Sequence, residues 1–136
     1  MAKYIIAHDL GTTGNKATLF SEEGKLIGST VYSYGCHYFN DNWAEQDPEV
    51  IRKAMFEGIR ELLQQVSAAR IACVGLSGTM DGCLPVDETG KALYPNIIHS
   101  DGRSERQVEE ILKHITARDL YRMTGNRPDT HYTLPK

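Results

Sequence analysis

A chain of 136 residues with 40% hydrophobic and 24% charged side chains suits one soluble globular domain with its own core. Lys plus Arg number 15 against 18 Asp plus Glu, a formal net charge of −3 with no basic cluster, which argues against a nucleic-acid partner or a membrane surface. The apolar runs are too short for a transmembrane span or a signal peptide, three cysteines lack a CxxC spacing, five histidines lack a zinc spacing, and a reduced cytoplasmic setting follows.

Tyr4 to Ala7 is an apolar run of β-formers that ends at His8-Asp9. The turn cluster Gly11-Thr12-Thr13-Gly14-Asn15 follows, and Ala17 to Phe20 predicts a second strand. A further turn over 21–25 leads to a third strand over 26–34, so the N-terminus predicts an antiparallel meander. Residues 35–47 read as irregular and polar around the single Trp43. Asp47-Pro48-Glu49 opens a helix, with a cap, a first-position proline and an acidic first turn. Its apolar stripe runs through Ile51, Met55, Ile59, Leu62, Leu63 and Val66, and Gly58 interrupts it at a small propensity cost.

Ile71 to Leu76 predicts a strand of the buried type, with Cys73 as a small core residue. A small-residue loop over 77–82 precedes a strand over 83–86, a turn at Glu88-Thr89-Gly90-Lys91, and extended chain over 93–98. Ser104-Glu105-Arg106-Gln107 resembles a capping box ahead of a helix carrying Val108, Ile111, Leu112 and Ile115. A short helix over about 117–123 stops at Thr124-Gly125. This order of elements predicts an α/β fold with a mixed sheet. The stop at Leu134-Pro135-Lys136 reads as a piece of a longer protein.

Three segments carry chemistry. In Asp9-Leu10-Gly11-Thr12-Thr13-Gly14-Asn15-Lys16 a carboxylate ends a strand and a Gly/Thr turn reverses the chain. Gly11 and Gly14 allow close approach and positive φ, the turn amides and the Thr12 and Thr13 hydroxyls are donors, and Lys16 is a point charge. Asp9 would repel phosphate unless it holds Mg²⁺, so the set suits a nucleotide's β- and γ-phosphates. It is neither a Walker A loop nor a dinucleotide fingerprint, and taken alone it reads equally well as a plain hairpin turn. Gly75-Leu76-Ser77-Gly78-Thr79-Met80-Asp81-Gly82 sets Asp81 just past a strand end, where α/β folds place ligands, although a solvated loop Asp is the blander reading. Asn96 to Ser104 packs His99, Asp101 and Arg103 into five residues, enough donors and acceptors for a polyol; the alternative is that Asp101 and Arg103 pair and cap the next helix.

The motifs DLGTTGNK, WAEQDPE, GLSGTMDG, ETGKALYPNIIHSDGRS and TLPK, in this order and spacing, resemble the FGGY carbohydrate kinases along essentially the whole chain, and among them the xylulokinase-like pentulose kinases. The resemblance implies an RNase H-like/actin-like ATPase domain, of which residues 1–136 would be part of the N-terminal one. It implies ATP and Mg²⁺ as cofactors and a small-molecule sugar or polyol as acceptor, and leaves a homodimer open. It gives the metal to Asp9, the nucleotide phosphates to Gly11, Thr12, Thr13 and Lys16, and the sugar to Met80, Asp81, His99, Asp101, Arg103 and His131. The general-base Asp and the adenine pocket are expected beyond Lys136, so the isolated piece is expected to have no significant turnover. Thr79, Asp81 and His99 depart from the family's usual Gln, His or Glu, and Trp, which bears on the substrate and not on the phosphate set. A non-catalytic actin/Hsp70-type ATP-binding module would carry a similar hairpin but gives no reason for HSDGRS or Met80-Asp81. A glycerol kinase-like enzyme shares the skeleton with other cleft residues.

Overall fold

A computed structural model describes residues 3–136. The elements in chain order are strands β1 (Tyr4–Leu10), β2 (Gly14–Ser21), β3 (Leu26–Ser33), β4 (His37–Phe39) and β5 (Trp43–Gln46), helix α1 (Pro48–Leu62), strands β6 (Ile71–Gly78) and β7 (Asn96–Ile97), and helices α2 (Glu105–His114) and α3 (Ala117–Thr124). They fall into two compact units. Among the described residues the first runs up to Gly35 and over Asp47–Thr79, and the second holds Cys36–Gln46 and Met80–Lys136.

The first unit is a four-stranded mixed sheet of order β3-β2-β1-β6, with β1 antiparallel to β2 and parallel to β6. Helix α1 starts where Asp47 accepts the Glu49 amide at 2.8 Å and Pro48 supplies a pre-set φ. It packs chiefly on β2 and β3. Ile6, Ala17, Leu19 and Leu62 form the core, ringed by Tyr4, Ile59, Val66 and Ile71. Burying Ile6, Leu19 or Leu62 stabilises by roughly 1.5–3 kcal/mol each. The buried line of α1 is Ala54, Gly58 and Leu62. Gly58 is therefore a closest approach: a Cβ there would stand 3.0 Å from the Ala17 Cβ and 3.3 Å from Asn15 Nδ2. Its helix-propensity cost is offset by letting the helix down onto β2.

β6 differs from the expected buried strand. It is an edge strand, seven of its eight residues are exposed, and Cys73 is exposed too. The cause is that α1 sits chiefly over β2 and β3 and leaves β6 beyond Ile71 exposed. Apolar composition makes the strand but does not bury it.

In the second unit β4, β5 and β7 form an antiparallel sheet. The segment expected to be irregular thus holds a hairpin, whose turn sets Asn40 and Asp41 at positive φ, a region Asn and Asp tolerate. The expected strand over 83–86 is reduced to the bridges Cys83↔Ile97 and Val86↔Ala92, around a turn in which Asp87 accepts from the Thr89 and Lys91 amides. Helix α2 forms without the capping box: Ser104 makes no side-chain cap bond, and its buried Oγ has no partner among the described residues. Helix α3 is capped by Thr116, which accepts the Asp119 amide at 3.1 Å, and ends on Gly125 at φ 75°. No helix among the described residues is long and apolar enough to cross a membrane.

Candidate functional site

The candidate residues divide between the units: Asp9, Gly11, Thr12, Thr13 and Lys16 in the first, Met80, Asp81, His99, Asp101, Arg103 and His131 in the second.

In the first unit the turn between β1 and β2 is held on three sides. The Gly11 amide donates to Gly14 O at 2.9 Å. Tyr34, just past β3, donates its amide to Thr13 O at 3.0 Å and its hydroxyl to Gly11 O at 2.8 Å. Thr79, just past β6, donates its amide and its hydroxyl to Leu10 O at 3.0 and 3.1 Å. Neither Gly11 nor Gly14 takes the expected positive φ. Gly14 is needed for another reason: a Cβ there would lie 2.9 Å from Tyr32 O and 3.2 Å from the Ser33 Cα. Thr13 is exposed, and its amide and hydroxyl donate to nothing among the described residues.

The pleat sorts the hairpin's side chains by face. His8 pairs with Ala17 and Leu10 with Asn15 on the face that α1 covers, while Asp9 pairs with Lys16 on the other. Asp9 and Lys16 are both exposed, and neither makes an ion pair among the described residues. A carboxylate, an ammonium and the Thr13 donors therefore stand together at the hairpin tip. No cluster of three metal-binding side chains exists among the described residues. That donor set fits Mg²⁺, which is commonly held by one or two carboxylates plus phosphate oxygens and water, and does not fit a protein-built cage.

In the second unit Asp81 begins a small cluster. It adopts φ 61°, in the left-handed region that Asp tolerates better than most non-glycine residues. Lys136 anchors it, donating Nζ to Asp81 O and to His131 O at 3.0 Å each. Burial pushes the Lys136 ammonium pKa down, against the pull of Asp101 and Asp81. His131 Nε2 stands 3.5 Å from Asp81 Oδ2, an ion pair only when the ring is protonated. The His99 ring meets the His131 ring edge-on at 5.3 Å, and its buried Nδ1 has no partner among the described residues. Met80 is 77% exposed. An apolar cavity of about 210 Å³ opens beside Asp81, lined also by Val108, Ile111, Leu120, Tyr132 and Pro135.

Asp101 and Arg103 behave differently. Asp101 is fully buried, and its carboxylate accepts the Ala44 amide at 2.6 Å, the Arg103 amide at 3.0 Å and Arg103 Nε and Nη2 at 2.8 and 2.7 Å. Arg103 also pairs with Glu45 at 2.7 Å and lies 3.9 Å over the Trp43 ring. Burial alone would raise the Asp101 carboxyl, but the bonds from Arg103 and from the Ala44 amide outweigh it and hold it below the usual carboxylate range. Burial would lower the Arg103 guanidinium; Asp101, Glu45 and Tyr94 more than reverse that. This engagement leaves Asp101 no exposed oxygen for a ligand. The pairing half of the alternative reading holds, and its capping half does not. The sequence carried no local signal for Tyr34, for Glu45 and Trp43 as holders of Arg103, or for Lys136 as the anchor of Asp81.

Comparison with known proteins adds three findings. The model of the "FGGY family of carbohydrate kinases, N-terminal domain" matches residues 4–136. The chain is 29% identical to xylulose kinase of Staphylococcus xylosus, over 98% of this chain and 28% of that protein, and 32% identical to glycerol kinase of Thermococcus gammatolerans, over 100% and 28%. It superposes on the crystal structure of gluconate kinase from Lactobacillus acidophilus with a TM-score of 0.87 at 28% identity, covering 96% of this chain and 26% of that one. The chain thus spans little more than a quarter of the length of these relatives.

Proposed function

The chain belongs to the FGGY family of carbohydrate kinases, and on that premise we propose that it serves transfer of the ATP γ-phosphoryl group to a hydroxyl of a sugar or polyol. The observation that carries this is the β1–β2 tip, where Asp9, Lys16 and the Thr13 donors are exposed together and unspent. Phosphoryl transfer asks the protein for positioning and charge stabilisation more than for covalent chemistry. The hydroxyls of Thr12 and Thr13 and the Thr13 amide bind phosphate oxygens. Gly14 keeps that turn close against β3, and Lys16 offsets phosphate charge from the same sheet face as Asp9. Asp9 would hold Mg²⁺, which when bound neutralises charge on the phosphates.

In the second unit Met80, Asp81, His99 and His131 form the acceptor-facing set of this proposal. Asp101 and Arg103 act as its support, fixing the 99–104 segment from beneath. A ketopentose such as xylulose is the favoured acceptor, on the motif resemblance and the xylulose kinase relative. A cytoplasmic protein using ATP and Mg²⁺ follows from the same reading.

The test is ADP release by the whole protein with ATP, Mg²⁺ and a panel of ketopentoses, glycerol and gluconate. Highest kcat/KM with a ketopentose supports the reading. Preference for glycerol or gluconate moves the acceptor and keeps the chemistry. No stimulation by any of them rejects the kinase and favours a nucleotide-binding module.

A further inference from the structure

Directly beneath the hairpin lies a buried polar chain that an apolar core does not need. His8 is 2% exposed and Asn15 is 0% exposed, in a layer otherwise filled by Ile6, Ala17, Leu19 and Leu62. His8 Nδ1 and Asn15 Oδ1 are 3.0 Å apart, and Asn15 Nδ2 donates to Ala54 O at 3.1 Å. Since the Asn15 amide nitrogen is committed to Ala54 O, its oxygen faces His8 and must accept. His8 Nδ1 is therefore the donor of this bond. His8 Nε2 is buried and without a hydrogen-bond partner among the described residues. Burying polar groups this way is costly, and apolar residues of similar size would cost less.

The cost coincides with a place in the fold. His8 directly precedes Asp9 and Asn15 directly precedes Lys16, on the two paired strands. A side-chain bond from β1 to β2 on the covered face opposes a slip between Asp9 and Lys16 on the open face. The second bond ties both strands to α1 beside Gly58, where helix and strand approach most closely. We propose that His8 and Asn15 are positioning residues: a His8–Asn15–Ala54 clamp that fixes the register and height of the hairpin, and so the spacing of Asp9 and Lys16 against the nucleotide phosphates. This rests on the phosphate-binding reading of the hairpin.

The experiment uses the whole protein carrying His8→Leu and Asn15→Leu together, with thermal unfolding, kcat, and KM for MgATP and for the acceptor as readouts. The clamp predicts an unfolding temperature close to wild type, a loss of kcat/KM for MgATP on the order of 10- to 100-fold, and an unchanged acceptor KM. Wild-type MgATP kinetics in the folded double variant would overturn it. Should the double variant not fold, Asn15→Ser carries the same split: loss confined to MgATP supports the clamp, and unchanged MgATP kinetics rejects it. Asp9→Ala is assayed in parallel. If Asp9→Ala keeps full turnover, the phosphate-binding reading falls and the clamp's purpose with it. If Asp9→Ala is dead while the clamp variants behave as wild type, the positioning inference alone falls.

Discussion

Two acid–base pairs, Asp9 with Lys16 and Asp101 with Arg103, look alike in sequence and end in opposite states. Asp9 and Lys16 face each other across β1 and β2, exposed and without an ion pair among the described residues. Asp101 and Arg103 are locked in a forked contact, with Glu45 and the Ala44 amide closing the remaining valences. A charge that its own fold leaves unsaturated is available to a ligand. A charge that its fold has saturated is architecture, because breaking it would strand a buried ion.

That contrast can be broken by substitution. The largest effect is expected from Asp9→Ala, which should lower MgATP turnover of the whole protein by on the order of 10²- to 10³-fold or more with the unfolding temperature unchanged. A falling unfolding temperature would make Asp9 architecture too. Next is Asp101→Asn, which leaves the nearly buried Arg103 with an incomplete set of partners and should destabilise by about 3–5 kcal/mol in denaturant titration. The pH dependence sharpens the point. The folded Asp101 carboxyl lies below its unfolded value near ~3.9, so its stabilisation is complete above that pH and is lost as pH falls toward the folded value. Wild type should therefore lose stability in acid below about pH 4 more steeply than Asp101→Asn.

Smaller effects test the packing and the field. Gly58→Val places a branched side chain 3.0 Å from Ala17 and should cost roughly 1–3 kcal/mol, read as a lower unfolding midpoint. Lys16→Ala removes one exposed charge and should raise the KM for MgATP by about fivefold, the equivalent of roughly 1 kcal/mol, with the difference shrinking in high salt. An equal effect at all salt concentrations would say that Lys16 acts by shape.

The hairpin and α1 were legible because their signals are local: Gly and Thr at one turn, and Asp47-Pro48-Glu49 at one helix start. The face each hairpin residue takes follows from the alternation of a strand. The β4–β5 hairpin leaves little trace in the sequence, since strands of three and four residues are too short for periodicity to emerge. Pairing of Asp101 with Arg103 was foreseeable across two residues. Its other half was not, since Ala44 lies 57 positions away and no spacing links them. The exposure of Cys73 depends on where α1 lands, which the composition of β6 does not state. Gly58, read as a propensity defect, is the contact point of helix and sheet.

The β6 strand has a consequence for anyone who handles this chain by itself. Ile71-Ala-Cys-Val-Gly-Leu-Ser-Gly78 carries no charge and no proline, and its outer backbone edge is bonded to no other strand among the described residues. Such an edge is a template: its free amides and carbonyls can recruit the same segment of another molecule. Concentration-dependent self-association through this edge is the expected outcome, and light scattering over a dilution series checks it.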